Sequence, residues 1–156
     1  MPVRSAGLLL HRHGGRGVEV LIAHMGGPFW ARRSEGAWSI PKGEYDPAGE
    51  EPLAAAHREF REELGVDPPS GECVDLGEFA YSSGKRLRVF ALDGAGWEPG
   101  PYVFCTFALE WPPRSGRTQQ FPEVDEARWV PADEARTLLV KGQRPALDAL
   151  QASQRA

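Results

Sequence analysis

Five charged residues, Glu50, Arg58, Glu59, Glu62 and Glu63, fall within one stretch, GEYDPAGEEPLAAAHREFREELGV, that runs from Gly43 to Val66. Between Leu53 and Leu64 this stretch reads as a helix. On a helix, Glu59, Glu62 and Glu63 have i, i+3, i+4 spacing and share one face. Like charges at i and i+4 disfavour an isolated helix. Three stacked carboxylates therefore face water or hold a cation. Hard divalent cations take oxygen ligands of this kind and commonly bring substrate phosphates with them.

The register of the whole stretch resembles the Nudix box, G-x5-E-x7-R-E-U-x-E-E-x-G-U, where U is a bulky aliphatic residue. Seven residues separate Glu50 from Arg58, and Glu59, Phe60, Arg61, Glu62, Glu63, Leu64, Gly65 and Val66 follow in register, with Phe60 at a U position. One departure stands before Glu50. Tyr45-Asp46-Pro47-Ala48 lies inside an interval from Gly43 that holds one residue more than the pattern, which reads as a loop insertion. The resemblance implies an α/β fold, a Nudix-like α/β/α sandwich with a mixed β-sheet between helices. It further implies that Glu59 and Glu63 are the main metal ligands, that Glu62 ligates or acts as a base, and that the Gly43 carbonyl is a backbone ligand. Arg58 would orient the carboxylates, through Glu62 at i+4 or through Glu50. The cofactor implied is Mg²⁺, with Mn²⁺ as an alternative.

Many enzymes of this family use a further Glu on a loop several residues before a Trp-containing strand. QQFPEVDEARWVP offers Glu123 and Glu126. Glu123 is preferred as catalytic base and metal ligand, because Glu126 can already belong to the strand. Trp38-Ser39-Ile40-Pro41-Lys42-Gly43 is similar to the W-x-x-P-K-G segment of Nudix enzymes acting on dinucleoside polyphosphates, and it places Lys42 to reach phosphate. Tyr81 approximates a tyrosine associated with the same enzymes. Trp38 itself reads as core. Trp111-Pro112-Pro113-Arg114-Ser115-Gly116-Arg117 is a stiff basic loop in which Arg114 could clamp phosphates or simply decorate a surface turn. Phe29, Trp30, Arg32 and Arg33 pose the same choice. The four histidines show no ligand spacing.

These residues need a frame. Val3 to Leu10 and Val18 to Met25 read as a strand hairpin across Gly14-Gly15-Arg16-Gly17. Pro52 suits the first turn of the box helix, Glu50 and Glu51 favour its positive end, and Gly65 suits a left-handed C-cap. Leu53, Ala56, Phe60 and Leu64 form its apolar stripe. Ala55 is expected near the carboxylate face, leaving room for phosphate. Cys73 to Ser82, Leu87 to Leu92 and Tyr102 to Trp111 read as strands, with Ser83-Gly84 as a tight turn between the first two. Ala127 to Val130 reads as a last strand. Pro131 opens a helix that closes at Lys141-Gly142, and Arg144-Pro145 starts a final one. Mixed strand and helix order predicts a mixed sheet between helices.

The 156 residues fit a single domain with a real core, residues 1–156, its C-terminal helices spanning about 131–154. A net charge of −4 argues against general binding of a nucleic-acid polymer. No apolar run approaches the ~20 residues of a membrane span, and Ala6 to Leu10 is too short for a signal peptide. A cytoplasmic location is the expectation. Cys73 and Cys105 read as reduced core or strand residues.

Together these features predict metal-dependent hydrolysis of a diphosphate linkage in a small-molecule nucleoside polyphosphate, either an NTP or a dinucleoside polyphosphate, by a monomer or homodimer. Alternatives are a nucleotide-sugar pyrophosphatase of the ADP-ribose type and a non-catalytic Nudix-fold nucleotide-binding module. The retained carboxylates argue against the module.

Overall fold

A computed structural model describes residues 3–82 and 84–155. Its strands are β1 (Val3–Gly14), β2 (Gly17–Met25), β3 (Trp38–Ser39), β4 (Lys42–Glu44), β5 (Val74–Ser82), β6 (Lys85–Asp93), β7 (Thr106–Glu110), β8 (Thr118–Pro122) and β9 (Val124–Pro131). Helix α1 (Pro52–Leu64) lies between β4 and β5, and α2 (Ala132–Leu138) and α3 (Arg144–Arg155) close the chain around a 3-10 turn at Lys141–Gln143.

Seven strands form one mixed sheet. Strands β1 and β6 run parallel at its centre, β5 pairs antiparallel with β6, and β2 pairs antiparallel with β1 near the hairpin and with β9 on its other side. Strand β2 leaves β1 beyond this hairpin. The short β4 takes that place beside β1, pairing Gly43 with Ala6 and Lys42 with Gly7. Strands β7 and β8 form a separate two-stranded sheet.

The alternation of side chains explains the layers. Ala6, Leu8, Leu10, Leu21, Ala23, Phe90 and Leu92 point to one face and pack with Ala55, Ala56, Phe60 and Leu64 of α1. Leu9, Val20, Ile22, Leu87, Val89 and Ala91 point to the other and pack with Ala135, Leu138, Leu147 and Leu150 of α2 and α3. The α/β/α sandwich expected from the sequence is the fold observed.

Several local expectations change. Leu53 is 39% exposed rather than part of the packed stripe, because it sits in the first turn of α1, where the helix starts away from the core. Ala55 is fully buried and leaves no open space for phosphate. Advancing about 100° per residue, Ala55, Glu59, Glu63 and Ala56 occupy one continuous sector of the helix, and that sector faces β1 and β4. The strand expected over Tyr102 to Trp111 starts only at Thr106, because the Val103 N–H donates to the Leu64 carbonyl at the end of α1 instead of to a strand. Strand β8 is polar and largely exposed, so no apolar alternation announced it. Helix α2 ends at Leu138, before Lys141-Gly142. The expected turn residue Ser83 lies outside the described residues. Gly65 caps α1 with φ of 69°, and a Cβ there would collide with Val103.

Candidate active site

Helix α1 and strand β4 meet at an open cleft of about 550 Å³. Glu59, Glu62 and Glu63 line it from the helix, Lys42, Gly43 and Glu44 from β4, Tyr81 and Lys85 from the β5–β6 hairpin, and Cys105 and Glu123 from the segments flanking the small sheet.

The close approach of β4 to α1 depends on glycine. A Cβ on Gly43 would collide with the Glu59 carboxylate. The backbone of β4 therefore lies directly against that carboxylate. Glu63 sits one turn further along, where the Lys42 N–H reaches its Oε2 at 3.4 Å. Burial pushes the Glu63 pKa up to about 8, opposed by Lys42 and its backbone N–H and reinforced by Glu59 and Glu123. Burial raises the Glu59 carboxyl as well, against the pull of Arg58.

Arg58 does not line the cleft, and its guanidinium enters a set of carboxylates. It grips Glu50 through two bonds, Nε to Oε2 and Nη2 to Oε1, both 2.9 Å. Its Nη1 donates to Glu59 Oε1 at 2.8 Å and to both Glu62 oxygens at 3.2 Å. The guanidinium pulls the Glu50 pKa down, and Glu50 in turn holds Arg58 protonated. Glu50 was expected to favour the positive end of the helix dipole. Glu51 takes the N-cap position without a capping bond, and Glu50 turns to Arg58. Among the described residues no three acidic, His or Cys side chains converge into a ready-made ligand set. Arg58 supplies the counter-charge for three carboxylates, two of which, Glu59 and Glu62, line the cleft.

The oxygen donors nevertheless suit a hard divalent cation. Five carboxylates line one cleft, the backbone of Gly43 stands against Glu59, and the desolvated Glu63 has little other positive charge to face than Lys42. Glu59, Glu62, Glu63, Glu123 and the Gly43 carbonyl are the groups that could hold it.

The structure separates the two loop candidates. Glu123 lines the cleft, its N–H donating to the Cys105 carbonyl and its carbonyl accepting from the Gly26 N–H, each at 2.9 Å. Gly26 permits this, because a Cβ there would strike the Pro122 carbonyl. Glu126 lies within β9 opposite His24, pairs with Arg128 at 3.1 Å and borders a different groove. Arg114 stands in the β7–β8 turn at φ of 61°, its N–H bonded to Glu110, and it does not line the cleft. Lys42 and Tyr81 both line it, with the Lys42 ammonium 5.2 Å from the Tyr81 ring centroid.

Sequence reasoning missed Lys85 and Cys105. Lys85 pairs with Ser82 across the β5–β6 hairpin, so hairpin geometry could have linked it to Tyr81. Cys105 is exposed at the cleft rather than core, its Sγ 3.1 Å from the Glu62 carbonyl; no local pattern marks it. Trp38 is buried, as expected of a core residue.

The NUDIX domain model matches residues 1–150. An RNA pyrophosphohydrolase of Rhodospirillum rubrum is 34% identical over 151 residues, covering 92% of this chain and 86% of the relative. An RNA pyrophosphohydrolase of Halorhodospira halophila is 45% identical over 120 residues, covering 72% and 64%. Among solved structures, a Caenorhabditis elegans Ap4A hydrolase binary complex superposes with a TM-score of 0.65 at 20% identity, covering 98% of both chains. Nudix hydrolases generally use divalent metal ions. A box register carried on α1, the sandwich that presents it and a family match over nearly the whole chain agree: this protein is a member of the Nudix hydrolase family.

Proposed function

We propose that the protein is a Mg²⁺-dependent pyrophosphohydrolase, Mn²⁺ serving as a substitute, that cleaves a diphosphate linkage in a nucleoside polyphosphate. The observation that carries this reading is a single cleft that gathers five carboxylates, Glu44, Glu59, Glu62, Glu63 and Glu123, together with Lys42, Lys85 and Tyr81. A phosphate chain needs both metal-binding oxygens and cationic side chains within one cleft. Two curated relatives are named RNA pyrophosphohydrolase, a name that also denotes diphosphate cleavage.

Glu59 and Glu63, with Glu62 and the Gly43 carbonyl, would hold the metal. Bound there, the metal neutralises phosphate oxygens and polarises the attacked phosphorus. The chain's own groups do the rest. Glu123, pinned at the rim, accepts the proton of the attacking water as its oxygen bonds to phosphorus and the bridging P–O bond breaks; the electron pair leaves with the departing phosphate. Lys42 offsets the charge of the phosphate chain. Arg58 holds Glu59 and Glu62 in place without touching substrate.

The test is a panel of nucleoside triphosphates, dinucleoside polyphosphates and nucleotide sugars with Mg²⁺, with product identity read by chromatography. Cleavage within the polyphosphate chain is expected. Turnover confined to nucleotide sugars would refute the substrate class, and no turnover of any diphosphate-linked compound would refute the activity.

A further inference from the structure

Lys42 and Tyr81 meet at the cleft although they stand on different strands. Lys42 is on β4 and Tyr81 on β5, with β1 and β6 between them. No direct strand pairing joins the two; the sheet links them only through two intervening strands. The 3-10 turn Lys141–Gln143 touches both flanks.

On one flank, Gln143 is 1% exposed, a position where a primary amide is costly unless both ends are bonded. Both ends are bonded. Its Oε1 accepts the Ile40 N–H at 2.9 Å, and its Nε2 donates to Ser39 Oγ at 3.0 Å. Ser39 Oγ donates onward to the Ile40 carbonyl at 2.8 Å. The Val140 N–H adds a bond to the Trp38 carbonyl at 2.9 Å. The amide thus grips the backbone two residues before Lys42. On the other flank, Gly142 packs so closely on Tyr81 that a Cβ would collide with the Tyr81 backbone.

We propose that the Lys141–Gln143 turn is the positioning element of the phosphate-binding rim: Gln143 and Gly142 set where Lys42 and Tyr81 stand relative to each other and to the cleft carboxylates. An apolar residue at position 143 would fill the same space and leave the Ile40 N–H free to shift. The proposal rests on the reading of Lys42 as a phosphate contact, and the test separates the two.

Calorimetry measures binding of inorganic tripolyphosphate at saturating Mg²⁺, alongside kcat and KM for the panel substrate turned over fastest. Gln143→Met and Gly142→Ala should each weaken tripolyphosphate binding and raise KM by about tenfold, the scale of one or two lost hydrogen bonds or contacts. Metal affinity and kcat should stay within about twofold, because Gly43 and Glu44 lie along β4 beyond the gripped Ile40 and are paired to Ala6 and Ser5 of β1. Gln143→Glu should restore binding: burial keeps that carboxyl neutral, so it accepts from Ile40 and donates to Ser39 as the amide does. In a Lys42→Ala background, Gln143→Met should add less than about a twofold change, because the group it positions is gone.

Unchanged tripolyphosphate binding in both turn variants, with Lys42→Ala impaired, overturns the proposal alone. So does a parallel fall of metal affinity, kcat and binding, which marks general destabilisation, and so does full additivity with Lys42→Ala. Unchanged binding in Lys42→Ala refutes the phosphate reading and the proposal with it. If Gln143→Met does not fold, Gly142→Ala carries the test from the Tyr81 side.

Discussion

Arg58 offers the sharpest separation of a positioning role from a substrate contact. Its guanidinium donates to Glu50 twice, to Glu59 once and to Glu62 twice, all within 2.8–3.2 Å. The side chain is 39% exposed and Glu62 55%, so the Glu62 arm is screened and contributes little. The arms to Glu50 and Glu59 are more enclosed, at 27% and 15%, and the Glu50 pair is bidentate. Arg58→Ala leaves Glu59 beside Glu63 with no cation to orient it. Loss of such an outer-shell partner typically costs about 10–100-fold in metal affinity or activity. Arg58→Ala should therefore shift the Mg²⁺ concentration for half-maximal rate upward by at least about tenfold, with a matching loss of kcat at fixed low Mg²⁺. Raising Mg²⁺ should recover part of the rate. Arg58→Lys, a single ammonium without the fork, should fall between the two. The assay is a metal titration of turnover with direct Mg²⁺ calorimetry on the same preparations. A raised substrate KM with the Mg²⁺ dependence intact would show that Arg58 touches substrate, and the positioning role would be wrong.

Glu63→Gln should lower kcat by orders of magnitude, because the proposed metal site would lose a ligand. It should also stabilise the metal-free protein. The Glu63 carboxyl titrates near 8 in the fold and near 4.5 unfolded, so the native state is increasingly disfavoured as pH rises from about 5 to 8, by on the order of 3 kcal/mol. Melting temperatures of the two proteins in chelator should diverge across that window, with the variant higher at pH 8; coincident values would show that Glu63 is not desolvated. Glu123→Gln should slow single turnover more than Glu126→Gln, both still binding Mg²⁺; the reverse ranking moves the proton acceptor to Glu126, and two unaffected variants move it into the helix, to Glu62 or Glu59. Gly65→Ala should lower stability by about 1–3 kcal/mol in urea unfolding, since it combines φ of 69° with a collision at Val103; an unchanged midpoint would remove the C-cap from the account of α1.

The local features of the site were legible from the chain alone. A helical period of 3.6 residues fixes the angular relation of Glu59, Glu62 and Glu63 whatever surrounds them. The same holds for the i, i+4 reach of Arg58 to Glu62, for the left-handed cap at Gly65 and for the alternation that sends Leu8 and Leu9 to opposite faces of the sheet. Each depends on backbone geometry over a few residues.

What the tertiary structure decided lies beyond that range. Glu123 and Glu126 are three positions apart, yet Glu123 faces the carboxylates while Glu126 pairs with Arg128 at another groove, because the Gly26 and Cys105 backbones pin the chain at Glu123. The burial that lifts Glu63 arises from β4 packed against α1, which a helical wheel cannot contain. Arg114 stood out in the sequence as a loop cation and Lys85 did not, yet the hairpins place Arg114 at a turn away from the cleft and Lys85 at the cleft. The contacts of Gln143 with Ser39 and Ile40 span over a hundred residues of sequence. Only the closing of the two helical layers onto the sheet brings such groups together. Their energies depend on burial and on partners distant in the chain, and neither is a property of local sequence.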